Sequence, residues 1–175
     1  MDKLDIVTDE SGNEVVLLPE IIFSNKQNIN WNDVEDYLGK YVGELIEIAE
    51  TRDIIYIGNK FPDEYGGFSY TRKTKGARAK AKANAAQGIR EMVEIATDKV
   101  YRENHKEKHS EDVHNGWFYY VTRFAIPLYN NEKKTGEYNV YSACLVVNHA
   151  ANGKMYLYDV VGIKKEASNP LKTIK

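Results

Sequence analysis

The chain of 175 residues is poor in several things, and each shortage excludes something. It has one cysteine, Cys144, so an internal disulfide and a cysteine-based zinc cluster are both excluded. No run approaches the roughly 18 apolar residues a spanning helix needs, so no integral membrane protein is expected. The first residues, Met1-Asp2-Lys3-Leu4-Asp5, lack the apolar core of a secretory signal, and the expected location is the cytoplasm. The phosphate-cradling loop G-x-x-x-x-G-K-[ST] is missing, as are G-x-S-x-G and G-x-G-x-x-G. What is present, 42% hydrophobic and 29% charged residues, is the composition of one soluble globular domain.

Charge is also scarce in total, at a net −2, but not by segment. Residues 1–70 hold 15 acids and 5 bases, a net of −10. Residues 71–110 hold 5 acids and 11 bases, a net of +6, and residues 111–175 hold 6 acids and 8 bases, a net of +2. Between 71 and 90 there are seven bases and no acid: Arg72, Lys73, Lys75, Arg78, Lys80, Lys82 and Arg90. Screening confines attraction to a Debye length of about 8–10 Å, so such a block can hold a phosphate backbone although the whole chain is nearly neutral. The plainer reading is a solvated helix face, or a patch neutralised by the acidic first 70 residues.

Residues 1–30 read as an appendage, with Glu14–Pro19 as a short strand that stops at proline. Asn30-Trp31-Asn32-Asp33 reads as a cap and a helix start, and apolar residues recur at helical spacing through 33–50. Ile54-Ile55-Tyr56-Ile57 gives a short strand closed by Gly58. Residues 59–70 form a loop rich in aromatics and glycine, expected against the core or a site. The alanine-rich basic stretch 72–87 predicts a helix, Gly88 interrupts it, and 89–101 predicts a second one. From Trp117 onward the pattern changes to strands over 117–127, 138–148 and 154–163, with Ala151-Asn152-Gly153 as a hairpin turn. Helices followed by a strand meander predict an α+β domain over 31–175, with N-terminal helices packed on a C-terminal antiparallel sheet of about four strands.

The metal reading is weak. His105 and His109 share a helix face at i, i+4, but Lys106, Glu107 and Lys108 lie between them, which is not the His-Glu-x-x-His order. Neither metal nor cofactor is expected. The residues suit cleavage of RNA by its own 2′-hydroxyl, which needs a base, an acid and cations beside the phosphate. His105, His109 and His114 can titrate near neutrality, tyrosines and Ser168 can hydrogen-bond a phosphate, and Arg123 lies inside a strand where it needs a partner or a ligand. Lys75, Arg78, Lys80, Lys82, Lys164 and Lys165 supply positive charge for nucleic acid. Thirteen tyrosines suit base stacking, although strand aromatics also serve as packing. Cys144, midway along a strand, reads as a small buried hydrophobe.

Ile55–Leu171 resembles a family of small nuclease-like domains from phages and mobile elements. The resemblance is carried by Tyr56–Tyr65, by Lys75–Ile89 with its Lys-Ala-Lys-Ala-Asn-Ala-Ala-Gln-Gly block, by Glu107-Lys108-His109, by Gly116–Pro127 and by Gly153–Glu166. These domains belong to the barnase–EndoU–colicin–RelE fold group, often attached to phage head-morphogenesis proteins. The resemblance implies helices followed by a four-stranded antiparallel sheet and metal-independent RNA cleavage. It implies a site at Arg78, Lys80, Lys82, His109, Tyr119, Arg123 and the Lys164–Ser168 end. The expectation is therefore an endoribonuclease-like toxin or effector acting on RNA in a bacterial host cell. The alternative is a non-catalytic binding protein that inhibits a host factor such as a defence nuclease. In that case the acidic N-terminal region is a surface for a host protein partner, or a mask over the basic helix in cis.

Overall fold

Side chains that alternate between two faces require strands, and the computed structural model, which describes residues 3–24, 28–67, 76–103, 116–166 and 169–172, is mostly sheet. In chain order it has β1 (Ile6–Thr8), β2 (Glu14–Leu17), α1 (Trp31–Leu38), β3 (Leu45–Glu47), β4 (Ile54–Tyr56), α2 (Phe61–Gly67), α3 (Ala77–Ala85) and α4 (Ile89–Glu94). There follow β5 (Thr97–Arg102), β6 (Trp117–Asn130), β7 (Lys133–His149), β8 (Met155–Lys165) and β9 (Leu171–Lys172). The strands form one sheet in the order β1-β2-β6-β7-β8-β4-β3, with β5 added to β6 and β9 to β7.

The fold is α+β, as expected, but the sheet is larger and differently wired. Among the described residues it has nine strands rather than about four, and it is mixed, because β2 pairs with β6 and β4 with β8 in parallel. Strands also precede and interrupt the helices, so these do not form an N-terminal block. Residues 1–30 are no mere appendage: β1 and β2 come from them, and Val16 and Leu18 are fully buried in the main core.

Local chemistry explains where elements end. Asn30 caps α1, its Oδ1 accepting from the backbone N–H of Asn32 and Asp33 at 3.1 and 3.3 Å. The helix stops at Leu38 instead of running to 50, because Gly43 takes φ 94° and redirects the chain. Leu45–Glu47 then pairs antiparallel with β4, so apolar residues that looked helical serve a strand. The loop expected at 59–70 contains α2. The second predicted helix, 89–101, ends at Glu94, and Thr97–Arg102 joins β6 through an irregular register beside Asp98, at φ 57°. Between β6 and β7, Asn131 and Glu132 both take positive φ, the two-residue turn that matches strand twist. The Asn152-Gly153 turn forms as expected, Gly153 N–H donating to Ala150 O at 3.0 Å.

The sheet has two unlike faces. Tyr120, Phe124 and Ile126 of β6 join the helices in the main core, and Thr122 Oγ1 donates to Met92 O of α4 at 2.7 Å. The alternate residues point to the other side. There Ala125 packs with Val15, Leu17 and Val140 in a separate small cluster containing no helical residue.

Candidate functional site

The basic helix is a structural wedge before it is a surface. In α3 and the turn after it, every residue from Ala81 to Gly88 is buried. Ala81, Ala83, Ala85 and Ala86 have no exposure, which small side chains allow. Gly88 sits in a tight spot: a Cβ there would lie 3.1 Å from Leu18 Cδ2 and 3.3 Å from Val16 Cγ1, so those side chains would have to give by a few tenths of an ångström. Asn84 Oδ1 accepts from Ile22 and Phe23 N–H at 2.8 and 3.1 Å, and its Nδ2 donates to Phe23 O at 2.9 Å. Gln87 Nε2 donates to Glu20 O at 2.9 Å. The N-terminal segment is thus tied to α3 by neutral amides.

Lys82, expected on a phosphate-binding surface, is instead buried at 8% exposure, its Nζ 2.9 Å from Asp159 Oδ1. The same ammonium lies 4.8 Å from the centre of the Tyr65 ring, and Tyr65 Oη donates to Lys82 O. Burial pushes both partners toward neutrality. It raises the Asp159 carboxyl to about 6 against the pull of Lys82, and lowers the Lys82 ammonium. Enclosed in protein on both sides, this pair cannot meet a polyanion. Of the other bases of this stretch, Arg90 pairs with Glu44, Lys80 is half-buried and Arg78 is exposed.

The helix-free face carries a different group. Arg123 on β6 stands opposite Ser142 on β7, and Ser142 opposite Lys164 on β8, so the three form a cross-strand row. Ser142 Oγ donates to Lys164 O at 3.5 Å. Arg123 Nε donates to Glu166 Oε1 at 2.8 Å, with side chains 21% and 26% exposed. Tyr119 lies four residues back on β6 and on the same face, half-buried. Lys164 is exposed. Lys165 is exposed too, but it stands opposite the core residue Tyr141, on the other side of the strand. Cys144 belongs to this face, opposite Val121; it is half-buried rather than fully so, and burial pushes its thiol up.

The sequence-derived residues therefore divide between the two faces. Arg123, Tyr119 and Lys164 come together on the helix-free face, while Lys82 sits behind the sheet among the helices. His109, Ser168 and Lys75 lie outside the described residues. Two acids escaped notice. Glu166 follows β8 and falls within the Lys164–Ser168 end that the resemblance marks, but it was given no role of its own. Asp159 had a visible signal, a lone charge inside the apolar run Tyr156–Val161. Among the described residues no cluster of three His, Cys, Asp or Glu side chains could hold a metal ion. No helix among them is long and apolar enough to cross a membrane.

No family model, curated protein or solved structure matches the chain.

Proposed function

We propose that the protein is a metal-independent endoribonuclease whose site is the helix-free face of β6, β7 and β8. The observation that carries this reading is the Arg123–Ser142–Lys164 row with Glu166 hydrogen-bonded to Arg123. With Nε committed to Glu166, the guanidinium still has its terminal nitrogens to offer two non-bridging phosphate oxygens. Lys164 adds a second positive charge, and Tyr119 presents a ring and a hydroxyl on the same face. In the reaction the RNA 2′-oxygen attacks phosphorus as the bond from phosphorus to the 5′-oxygen breaks. The 2′-hydroxyl proton passes to the Glu166 carboxylate, the departing 5′-oxygen takes a proton from a general acid, the role that the sequence reading gives to His109, and the products are a 2′,3′-cyclic phosphate and a 5′-hydroxyl. Charge gathering on the phosphoryl oxygens is where Arg123 and Lys164 act.

The test is incubation of the purified chain with tRNA and total RNA in EDTA from pH 5 to 8. Fragments ending in 2′,3′-cyclic phosphate are expected, and Arg123→Ala is expected to lose them by at least about a hundredfold, the usual scale for removing one stabilising donor. RNA left intact at micromolar protein would refute the reading.

One observation favours the second reading, a binding protein that inhibits a host factor. Among the described residues β3 is an outer strand paired only to β4; Leu45 on β3 and Ile54 on β4 are 56% and 40% exposed beside the exposed acid Glu47, which also meets Arg52. An open strand edge with apolar and acidic side chains suits a basic protein that adds a strand. Affinity capture from a bacterial lysate tests it: a partner retained by the wild type and lost by Leu45→Lys supports binding, and one retained equally by both speaks against this edge.

A further inference from the structure

A cavity of about 300 Å³ opens where the residues before α2 meet the β7–β8 turn. It is distant from the Arg123 row. Asn148, which lines it, lies six residues along β7 from Ser142, which at strand rise is about 20 Å. Aromatic walls, Phe61, Tyr156 and Tyr158 with the Gly58 backbone against Tyr156, stand beside polar and charged groups that include Lys60, Glu64 and Asn148. A Cβ on Gly58 would stand 3.4 Å from the Tyr156 ring.

These walls are held in place. Tyr156 packs on Tyr56 at 5.7 Å between ring centres, and its hydroxyl accepts from Asn152 Nδ2 at 3.2 Å. Tyr158 meets Trp117 edge to face at 5.0 Å. Within this aromatic setting Asn148 Oδ1 is buried and has no hydrogen-bond partner. A buried acceptor left without a donor costs free energy, so such an atom marks a place where a donor is missing. The half-buried Glu64 is a second acceptor on the lining, and its charge reaches Asp159. The lining also holds donors, Lys60 and the Tyr158 hydroxyl, so the cavity calls for a ligand that donates to Asn148 Oδ1 and accepts elsewhere, and the aromatic walls call for a flat one. The volume is at the small end of ligand cavities, which suits a nucleoside.

We propose that this cavity binds a flat nitrogen heterocycle bearing an exocyclic amine, the chemistry of adenine, guanine or cytosine. The amine donates to Asn148 Oδ1, and the ring lies against Tyr156 and Tyr158. The site lies at the opposite end of β7 from the Arg123–Ser142–Lys164 row and needs no cleavage to operate.

The test is an NMR titration of the full chain with adenosine and, separately, with purine riboside, which differs only in lacking the amine. Adenosine at millimolar concentration is expected to shift the resonances of Asn148 and Gly58. Purine riboside is expected to bind about tenfold more weakly, the cost of leaving one buried acceptor unpaired. Asn148→Leu should erase that preference, while Lys164→Ala should keep it. Equal affinity for the two nucleosides, or no shift with adenosine, guanosine or cytidine, would overturn the proposal. The comparison of two ligands on the wild-type chain decides the matter even if Asn148→Leu does not fold. No step measures RNA cleavage, so the result is independent of the fate of the ribonuclease reading.

Discussion

The two faces of the sheet each hold a cation beside a carboxylate at nearly the same distance, 2.9 Å for Lys82–Asp159 and 2.8 Å for Arg123–Glu166. Distance therefore says little about what either pair does. Lys82 and Asp159 have side chains 11% and 7% exposed, and burial drives both toward the neutral form. Their pairing relieves a cost that burial created, and it fixes α3 on β8. Arg123 and Glu166 keep contact with water, so their charges can be shared with a ligand. Of two similar ion pairs, one is enclosed in the architecture and one stands on the surface proposed for cleavage.

The largest effect should come from breaking the inner pair on one side only. Lys82→Met is expected to cost about 3–5 kcal/mol at pH 7, because Asp159 is left buried without its cation; urea denaturation measures it. Replacing both partners, as Lys82→Met with Asp159→Leu, should recover most of that loss, since an apolar pair carries no desolvation penalty. A double variant as unstable as the single one would mean that the charge itself holds the fold.

Next in size is a pH effect. Burial lifts the Asp159 carboxyl from 3.8 to about 6, so between those values the folded chain holds a proton that the unfolded chain has released. Its contribution to stability is therefore complete below about pH 4 and is lost as pH rises through about 6. Asp159→Asn should flatten that part of the stability–pH curve. Asp53 behaves in the opposite way. Burial raises its carboxyl, but hydrogen bonds from Lys99, Thr51 and Tyr120 outweigh burial and hold it below the usual range. Its contribution is present above the ordinary carboxylate pKa and falls away only as pH drops through the lowered value.

The smallest effect on stability belongs to the outer pair. Arg123→Ala should change the unfolding free energy by no more than about 1 kcal/mol, the scale for an ion pair in contact with water. The same substitution is the one expected to abolish RNA cleavage. A large loss of stability with cleavage intact would reverse the roles assigned to the two faces.

Much of this fold was legible in the sequence because its longest strands are long. β6, β7 and β8 have 14, 17 and 11 residues, enough for alternation and turn chemistry to appear in one chain. The short strands were not legible. Ile6–Thr8 and Leu45–Glu47 have three residues each, too few to show a period, and they gain strand character only from partners elsewhere. The basic stretch misled for a related reason. Composition reports that Lys82 is cationic, but only the packing of Ala79, Ala81 and Ala83 reveals that its side of the helix is enclosed. Arg123 was the more informative charge, since a lone arginine between Thr122 and Phe124 had to find a partner. The identity of that partner, Glu166, depended on the β7–β8 register, which sequence patterning does not encode.

The parallel pairing of β2 with β6 also sets a schedule. Val16 lies beside Phe124, and the 107 positions between them must be made before the two can meet. At about 5–20 residues per second, a ribosome leaves β2 without its sheet neighbour for roughly 5–20 s. Val15, Val16, Leu17 and Leu18, all buried in the finished protein, spend that interval uncovered. β2 therefore takes its place in the sheet only after β6, more than a hundred residues further along, has been made.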